Sequence, residues 1–82
     1  ILKHFLNFFL PDSIFFFYSD GLSEAMNETQ QQFGEEAICD FIEVNKTLKA
    51  NQLQQSLVNA VRQFQGSADQ HDDITFVAVK YN

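Results

Sequence analysis

Residues 15–21 have the sequence FFFYSDG, in which a run of aromatic residues ends in an acidic turn. Residues 71–77 have the sequence HDDITFV, in which acidic residues stand directly before an apolar run. Each segment therefore places a carboxylate where a predicted strand meets a loop. Rigid strands fix the positions of ligands while loops admit water and substrate, so this placement suits a site for a hard cation.

Apolar patterning predicts three strands around these segments. Ile14–Tyr18 is a continuous β-branched and aromatic run, which is typical of a strand covered on both faces. Residues 1–10 form a preceding strand, and a turn at residues 11–13 joins the two as a hairpin. The last strand covers Ile74–Tyr81, with successive residues on opposite faces.

Three helices are predicted between the second and third strands. A short helix covers Leu22–Asn27, and Gly34–Asn45 and Asn51–Phe64 each carry an apolar stripe at helical spacing. Gly66 stands where a helix C-cap is expected. The order β-β-α-α-α-β, with the helices grouped together, predicts a layered α/β (α+β) fold with mainly antiparallel strands.

Composition excludes several classes of protein. The 82 residues allow one domain at most. A net charge of −6 argues against binding to nucleic acid or to an anionic membrane, because both need basic surface. No apolar run approaches the ~20 residues that span a bilayer. With Cys39 as the only cysteine, no internal disulfide can form, and we expect a cytoplasmic protein.

Phenylalanine is concentrated in the first seventeen residues, although ten occur in the whole chain. A sheet so rich in aromatic residues needs a cover, and this chain has little material to provide one. We therefore expect the chain to be part of a larger domain or to pair with a copy of itself.

Three acidic residues are candidate metal ligands, namely Asp20, Asp72 and Asp73. Each also has an ordinary structural interpretation, because Asp fills helix N-caps and charged residues often begin strands. Adjacent residues of a strand point to opposite faces, so only one of Asp72 and Asp73 can face a given site. If the helices return the chain so that the two strands lie side by side, Asp20 and Asp72 converge on one Mg²⁺ or Mn²⁺.

The basic residues contribute less to this prediction. His71 could ligate a metal, act as an acid or lie on the surface, and the surface role is preferred because it has no fixed partner in the sequence. His4 has even less support. The sequence shows no arginine clamp and no glycine-rich loop for a phosphate group.

Three motifs in order resemble the SpoIIE-like branch of the type 2C, metal-dependent Ser/Thr protein phosphatases. That branch has a Ser/Thr-Asp-Gly-Leu/Val-x-Glu-Ala element, and residues 19–25 here are SDGLSEA. It then has a Phe-Gly-x-Glu element, matched by FGEE at residues 33–36, and an Asp-Asp-x-Thr element, matched by DDIT at residues 72–75. The resemblance covers residues 10–81.

The resemblance implies the C-terminal part of an αββα sandwich with paired Mn²⁺ or Mg²⁺ in a cleft between its sheets. It implies metal-dependent hydrolysis of phosphoserine or phosphothreonine on a regulatory protein, which in this branch is often an anti-sigma-factor antagonist. It also implies that Asp20 and Asp72 are metal ligands, with Asp73 ranked lower, and that Gly21 shapes the loop.

Residues 1–82 would then be the C-terminal part of one domain whose N-terminal half, with further acidic ligands, is absent. The resemblance therefore implies that this chain alone is inactive. Two alternatives stay open: a degenerate phosphatase fold used as a regulatory or binding module, such as a response-regulator output domain, and a small acidic interaction domain that dimerises through its phenylalanine-rich strands.

Overall fold

The computed structural model describes residues 2–9, 13–68 and 74–81, which form three strands and three helices. These elements are β1 (His4–Phe8), β2 (Ser13–Tyr18), α1 (Asp20–Ser23), α2 (Gly34–Asn45), α3 (Ala50–Gln65) and β3 (Phe76–Tyr81). The predicted order and the α+β class are confirmed. The strands β1 and β3 begin later than predicted, and α3 extends one residue beyond its predicted range at each end.

The strands form one antiparallel sheet with the order β1-β2-β3. In the hairpin, His4 lies opposite Tyr18. On the other side of β2, Tyr18 lies opposite Phe76, so the end of β2 and the beginning of β3 are neighbours. The helices therefore return the chain as predicted, and β3 starts beside the place where β2 ends.

One face of the sheet is covered by the helices. Ile14 and Phe16 of β2 have no exposed surface, and the same core contains apolar residues of every helix. Burying such a side chain contributes about 1.5–3 kcal/mol, so this face accounts for most of the hydrophobic stabilisation. Members of this core are Ile14, Phe16, Tyr18, Leu22, Ala25, Ile38, Ile42, Leu53, Leu57, Val61 and Ala78.

The opposite face of the sheet, here called the open sheet face, is not covered by the described residues. It comprises Phe5, Phe15, Phe17, Val77, Val79 and Tyr81, which the strand registers place side by side. Phe17 is 37% exposed and Val79 is 48% exposed. Within the described residues the helices pack on the other side of the sheet, so they do not provide the cover predicted for this face of β2.

The first helix differs from its predicted range of Leu22–Asn27. It begins at Asp20 because Ser19 has an extended backbone and serves as the N-cap. It ends at Ser23, and the Glu24 amide donates to the Asp20 carbonyl at 2.8 Å. Asp20 is thus the first helical residue and not a cap.

Two glycines mark the helix boundaries. Gly34, in the FGEE motif, begins α2 with a φ of 83°, a value that residues with a Cβ rarely adopt. Gly66 ends α3 with a φ of 58°, and its amide donates to the Arg62 carbonyl at 3.1 Å. The predicted C-cap is confirmed.

One backbone amide on the outer edge of β3 is hydrogen-bonded to a side chain. Gln54 of α3 accepts a hydrogen bond from the Ala78 amide at 2.9 Å. This bond pairs a strand amide that the three-stranded sheet leaves unpaired, and it ties α3 to β3. Within the described residues, no helix has the length and apolar character needed to cross a membrane.

Candidate functional site

Asp20 lies where the central strand ends, and its carboxylate reaches towards β1. Its Oδ1 is 2.5 Å from His4 Nε2, and its Oδ2 is 3.3 Å from Lys3 Nζ. The Asp20 side chain is 41% exposed, so solvent and ions can still approach it. The structure thus places a solvent-accessible carboxylate just beyond the end of the central strand, where the sequence predicts a metal ligand.

The hairpin register explains why two basic residues meet Asp20. His4 stands opposite Tyr18 in the sheet, and the two rings stack with centroids 4.8 Å apart. The Lys3 amide donates to the Tyr18 carbonyl at 3.1 Å, which keeps the chain beside β2 before the strand begins. Both side chains therefore lie next to the residue two positions after Tyr18.

These contacts stabilise the ionised form of Asp20. The hydrogen bond from His4 lowers the pKa of the Asp20 carboxyl most, and the hydrogen bond from Lys3 lowers it further. A carboxylate only accepts hydrogen bonds, so His4 Nε2 carries a hydrogen and donates a hydrogen bond to Oδ1. The Asp20 carboxyl is consequently ionised at neutral pH.

A pair of hydrogen bonds fixes the start of β3 beside this carboxylate. The Ser19 amide donates to the Thr75 carbonyl at 3.0 Å, and the Thr75 amide donates to Ser19 Oγ at 3.2 Å. Ser19 is buried and immediately precedes Asp20. The chain therefore enters β3 at a point held directly against the residue before Asp20.

Two of the predicted site residues, Asp72 and Asp73, lie outside the described residues, as does His71. Gly21 is described, and it lies buried inside α1. It therefore forms part of a helical turn and not of a loop. In this respect the role expected for Gly21 differs from its position, whereas Gly34 does need the freedom of glycine.

A tyrosine completes the surroundings of Asp20. Tyr18 is almost fully buried, and burial, followed by the nearby Glu35 carboxylate, raises its pKa to about 12. The phenol therefore stays protonated at neutral pH. It serves as a rigid platform on which the His4 ring stacks.

The donor set agrees with a hard cation as far as the described residues extend. Mg²⁺ is commonly held by one or two carboxylates together with several waters, and Asp20 supplies one ionised, accessible carboxylate. In residues 2–9, 13–68 and 74–81, no group of three His, Cys, Asp or Glu side chains could hold a metal ion. Asp72 lies outside these ranges.

A shallow groove runs between α3 and β3, with cavities of about 230 and 410 Å³. Val58, Ile74 and Phe76 line both cavities, and Thr75 lines the larger one. No carboxylate is among their described lining residues, so the groove does not contribute an acidic ligand.

Sequence reasoning missed two residues of this site, Lys3 and His4. Neither stands near an acidic cluster along the chain, and only folding brings them to Asp20. The predicted hairpin contained the necessary signal, because its register places a residue of β1 opposite Tyr18. The sequence predicts the hairpin but not which residue of β1 pairs with Tyr18, because that register depends on the length of the turn.

Comparisons with known proteins agree with the motifs. The family model described as Stage II sporulation protein E (SpoIIE) matches residues 8–82, which is nearly the whole chain. No curated protein and no solved structure matches the chain. The matched region contains β2, α1, α2, α3 and β3, and thus Asp20 and the start of β3. The chain belongs to the SpoIIE family and is a phosphatase-related domain.

Proposed function

We propose that this chain is the C-terminal part of a metal-dependent Ser/Thr protein phosphatase domain. The observation that carries the proposal is the pair of hydrogen bonds between Ser19 and Thr75, which holds the start of β3 beside Asp20. Ser19 of the SDGLSEA motif and Thr75 of the DDIT motif therefore meet at one end of the sheet. The family match supports the same reaction class.

Asp20 and Asp72 are the proposed ligands for Mn²⁺ or Mg²⁺, and Asp73 is a lower-ranked third. Asp72 precedes Thr75 by three residues (75 − 72), a stretch that spans at most about 10 Å. Thr75 is hydrogen-bonded to Ser19, which immediately precedes Asp20. The three-residue stretch from position 72 to Thr75 is therefore long enough for the Asp72 carboxylate to share a cation with Asp20.

When bound, a pair of such cations supplies an activated water for attack on the phosphoryl group and offsets the charge of the phosphate. The residues of this chain have a simpler task. Asp20 stays ionised, and Ser19 and Thr75 fix the distance between the two strand ends. The cations also help an acidic chain, with a net charge of −6, to accept a phosphorylated substrate.

The N-terminal half of the domain, expected in the intact protein, has two roles in this proposal. It contributes the remaining acidic ligands, and it covers the open sheet face to give an αββα sandwich. A chain without that half would bind metal weakly and would be inactive. The proposed substrate is a phosphoserine or phosphothreonine of a cytoplasmic regulatory protein, such as an anti-sigma-factor antagonist.

The test is Mn²⁺-dependent phosphatase activity of the intact protein on a phosphoserine protein or peptide. Asp72→Asn and Asp20→Asn keep the size of each side chain but remove its charge, and we expect each to lose about 100-fold or more in activity. Asp40→Asn, which removes an exposed carboxylate from α2, is the matched control and should keep the activity.

Two outcomes would contradict the proposal. A folded, Mn²⁺-saturated protein without activity on several phosphosubstrates would favour the degenerate regulatory module. Equal activity in the wild type and in the Asp72→Asn variant would show that Asp72 is not a metal ligand.

A further inference from the structure

The two oxygens of the Asp20 carboxylate have different partners. Oδ1 is 2.5 Å from the half-buried His4 ring, and that ring is stacked on the buried Tyr18. Oδ2 is 3.3 Å from Lys3 Nζ, on a side chain that is 61% exposed. One oxygen is therefore held by a ring packed in place, and the other by the end of a long, solvated side chain.

In this arrangement Oδ1 keeps its partner, whereas Oδ2 can exchange its partner for another cation. The stacked ring has little freedom to leave Oδ1. The ammonium group of Lys3 can swing into water at little cost, because exposed ion pairs contribute little to stability. Metal-ligating carboxylates are commonly held in orientation by hydrogen bonds from neighbouring groups.

We propose that His4 positions Asp20 for the cation: its Nε2–H holds Oδ1, and Oδ2, which Lys3 holds in this structure, is the oxygen that the cation takes. His4 is a positioning residue and does not touch the substrate. Lys3 occupies the place of the cation when none is bound. This inference rests on the proposed function, because it requires that Asp20 binds a metal ion.

The test is a titration of the intact protein with Mn²⁺ alone, in which free Mn²⁺ is measured by electron paramagnetic resonance. His4→Phe keeps a ring for the stack on Tyr18 and removes the hydrogen bond, and we expect Mn²⁺ binding to weaken about 10–100-fold. His4→Gln places an amide N–H near the position of Nε2 and should restore most of the affinity. The shorter side chain in His4→Asn leaves its amide too far from Oδ1 for a hydrogen bond. This variant should therefore bind Mn²⁺ as weakly as His4→Phe does.

Lys3 has its own prediction and control. Lys3→Gln removes the group that competes for Oδ2, so Mn²⁺ binding should tighten. Lys46→Gln removes the same charge from a lysine that is bonded to Glu43 instead, and it should leave the affinity close to that of the wild type. Circular dichroism melts verify that each variant is folded.

The outcomes separate this inference from the proposed function. If Asp20→Asn abolishes Mn²⁺ binding while His4→Phe and His4→Asn bind as the wild type does, the role of His4 is wrong and the metal site stands. Equal weakening by His4→Gln and His4→Phe, or weaker binding in Lys3→Gln, would also overturn it. If Asp20→Asn binds Mn²⁺ as the wild type does, the proposed metal site itself is wrong.

Discussion

At the scale of single residues, Asp20 shows how far a motif determines a site. The SDG motif and the preceding aromatic run identify Asp20 as an acidic residue at a strand end. The motif does not reveal that Lys3 and His4 bind both of its oxygens. Those contacts link positions 16 and 17 residues apart, and they depend on the register of a hairpin.

Cys39 gives a prediction about pH at the same scale. The thiol is half-buried in α2, and burial, followed by the charges of Glu35, Asp40 and Glu43, raises its pKa. The folded chain therefore holds the thiol proton to higher pH than the unfolded chain does. The stabilisation this provides is complete below the ordinary thiol pKa and is lost as the pH rises through the raised value.

We expect iodoacetamide to alkylate Cys39 more slowly in the folded protein than in the same protein unfolded in guanidinium chloride. The difference should be largest near the ordinary thiol pKa, because only the thiolate reacts. Rates measured by mass spectrometry from pH 7 to pH 9 test this, with glutathione as the control for the reagent. Identical pH profiles for the folded and unfolded protein would contradict the prediction.

At the scale of elements, the long helices were predictable and the short one was not. α2 and α3 carry apolar stripes over 12 and 16 residues, and such periods are readily detected. α1 has only four residues, and its start depends on the extended backbone of Ser19, which is fixed by Thr75 from a distant strand. A helix that short carries no periodic signal.

The contact between α3 and β3 supports a prediction about stability. Gln54→Ala leaves the Ala78 amide without its present acceptor in a partly buried position, and we expect the free energy of unfolding to fall by about 1–3 kcal/mol. Gln55→Ala is the matched control, since Gln55 is exposed and bonds only to Asn59 among the described contacts. We expect its effect to stay within about 0.5 kcal/mol.

Urea unfolding of the intact protein, followed by circular dichroism, measures both values. An equal loss of stability in the two variants would contradict the role of the bond to the strand edge, because Ala has a higher helix propensity than Gln and propensity alone would not cause a loss. No loss in Gln54→Ala would show that water replaces the side-chain acceptor.

At the scale of the whole molecule, the main feature is a sheet with helices on one side and an exposed aromatic face on the other. Aromatic rings lie in contact along that face, with the Phe5 and Phe17 rings tilted by 37° and their centroids 4.9 Å apart. Exposed apolar patches of this kind mark surfaces that are covered by another part of the protein or by a partner. The proposed N-terminal half would provide this cover.

Val79→Thr tests that cover, because it adds a hydroxyl to the open sheet face and keeps the β-branched shape. In the isolated chain Val79 is 48% exposed, and the change should reduce self-association and the binding of a hydrophobic dye. In the intact protein the hydroxyl would be buried, and we expect a loss of stability of about 1–3 kcal/mol.

The matched control is Val44→Thr on α2, where the valine is 81% exposed and lies away from the sheet. It should leave stability unchanged in both forms of the protein. Thermal melts and gel filtration at several concentrations measure these effects. If Val79→Thr costs no stability in the intact protein, the open sheet face is not covered there.

The sequence by itself determined the strand and helix order, the α+β class, the ranges of α2 and nearly all of α3, and the identity of Asp20 as a site candidate. These features rest on local periodicity and on residues close together in the chain, which physical rules for single elements can interpret. The tertiary structure decided which face of the sheet is covered, where α1 begins, and which side chains surround Asp20. Each of these depends on contacts between distant residues, such as Ser19 with Thr75 and His4 with Asp20, whose geometry is set only when the strands pair.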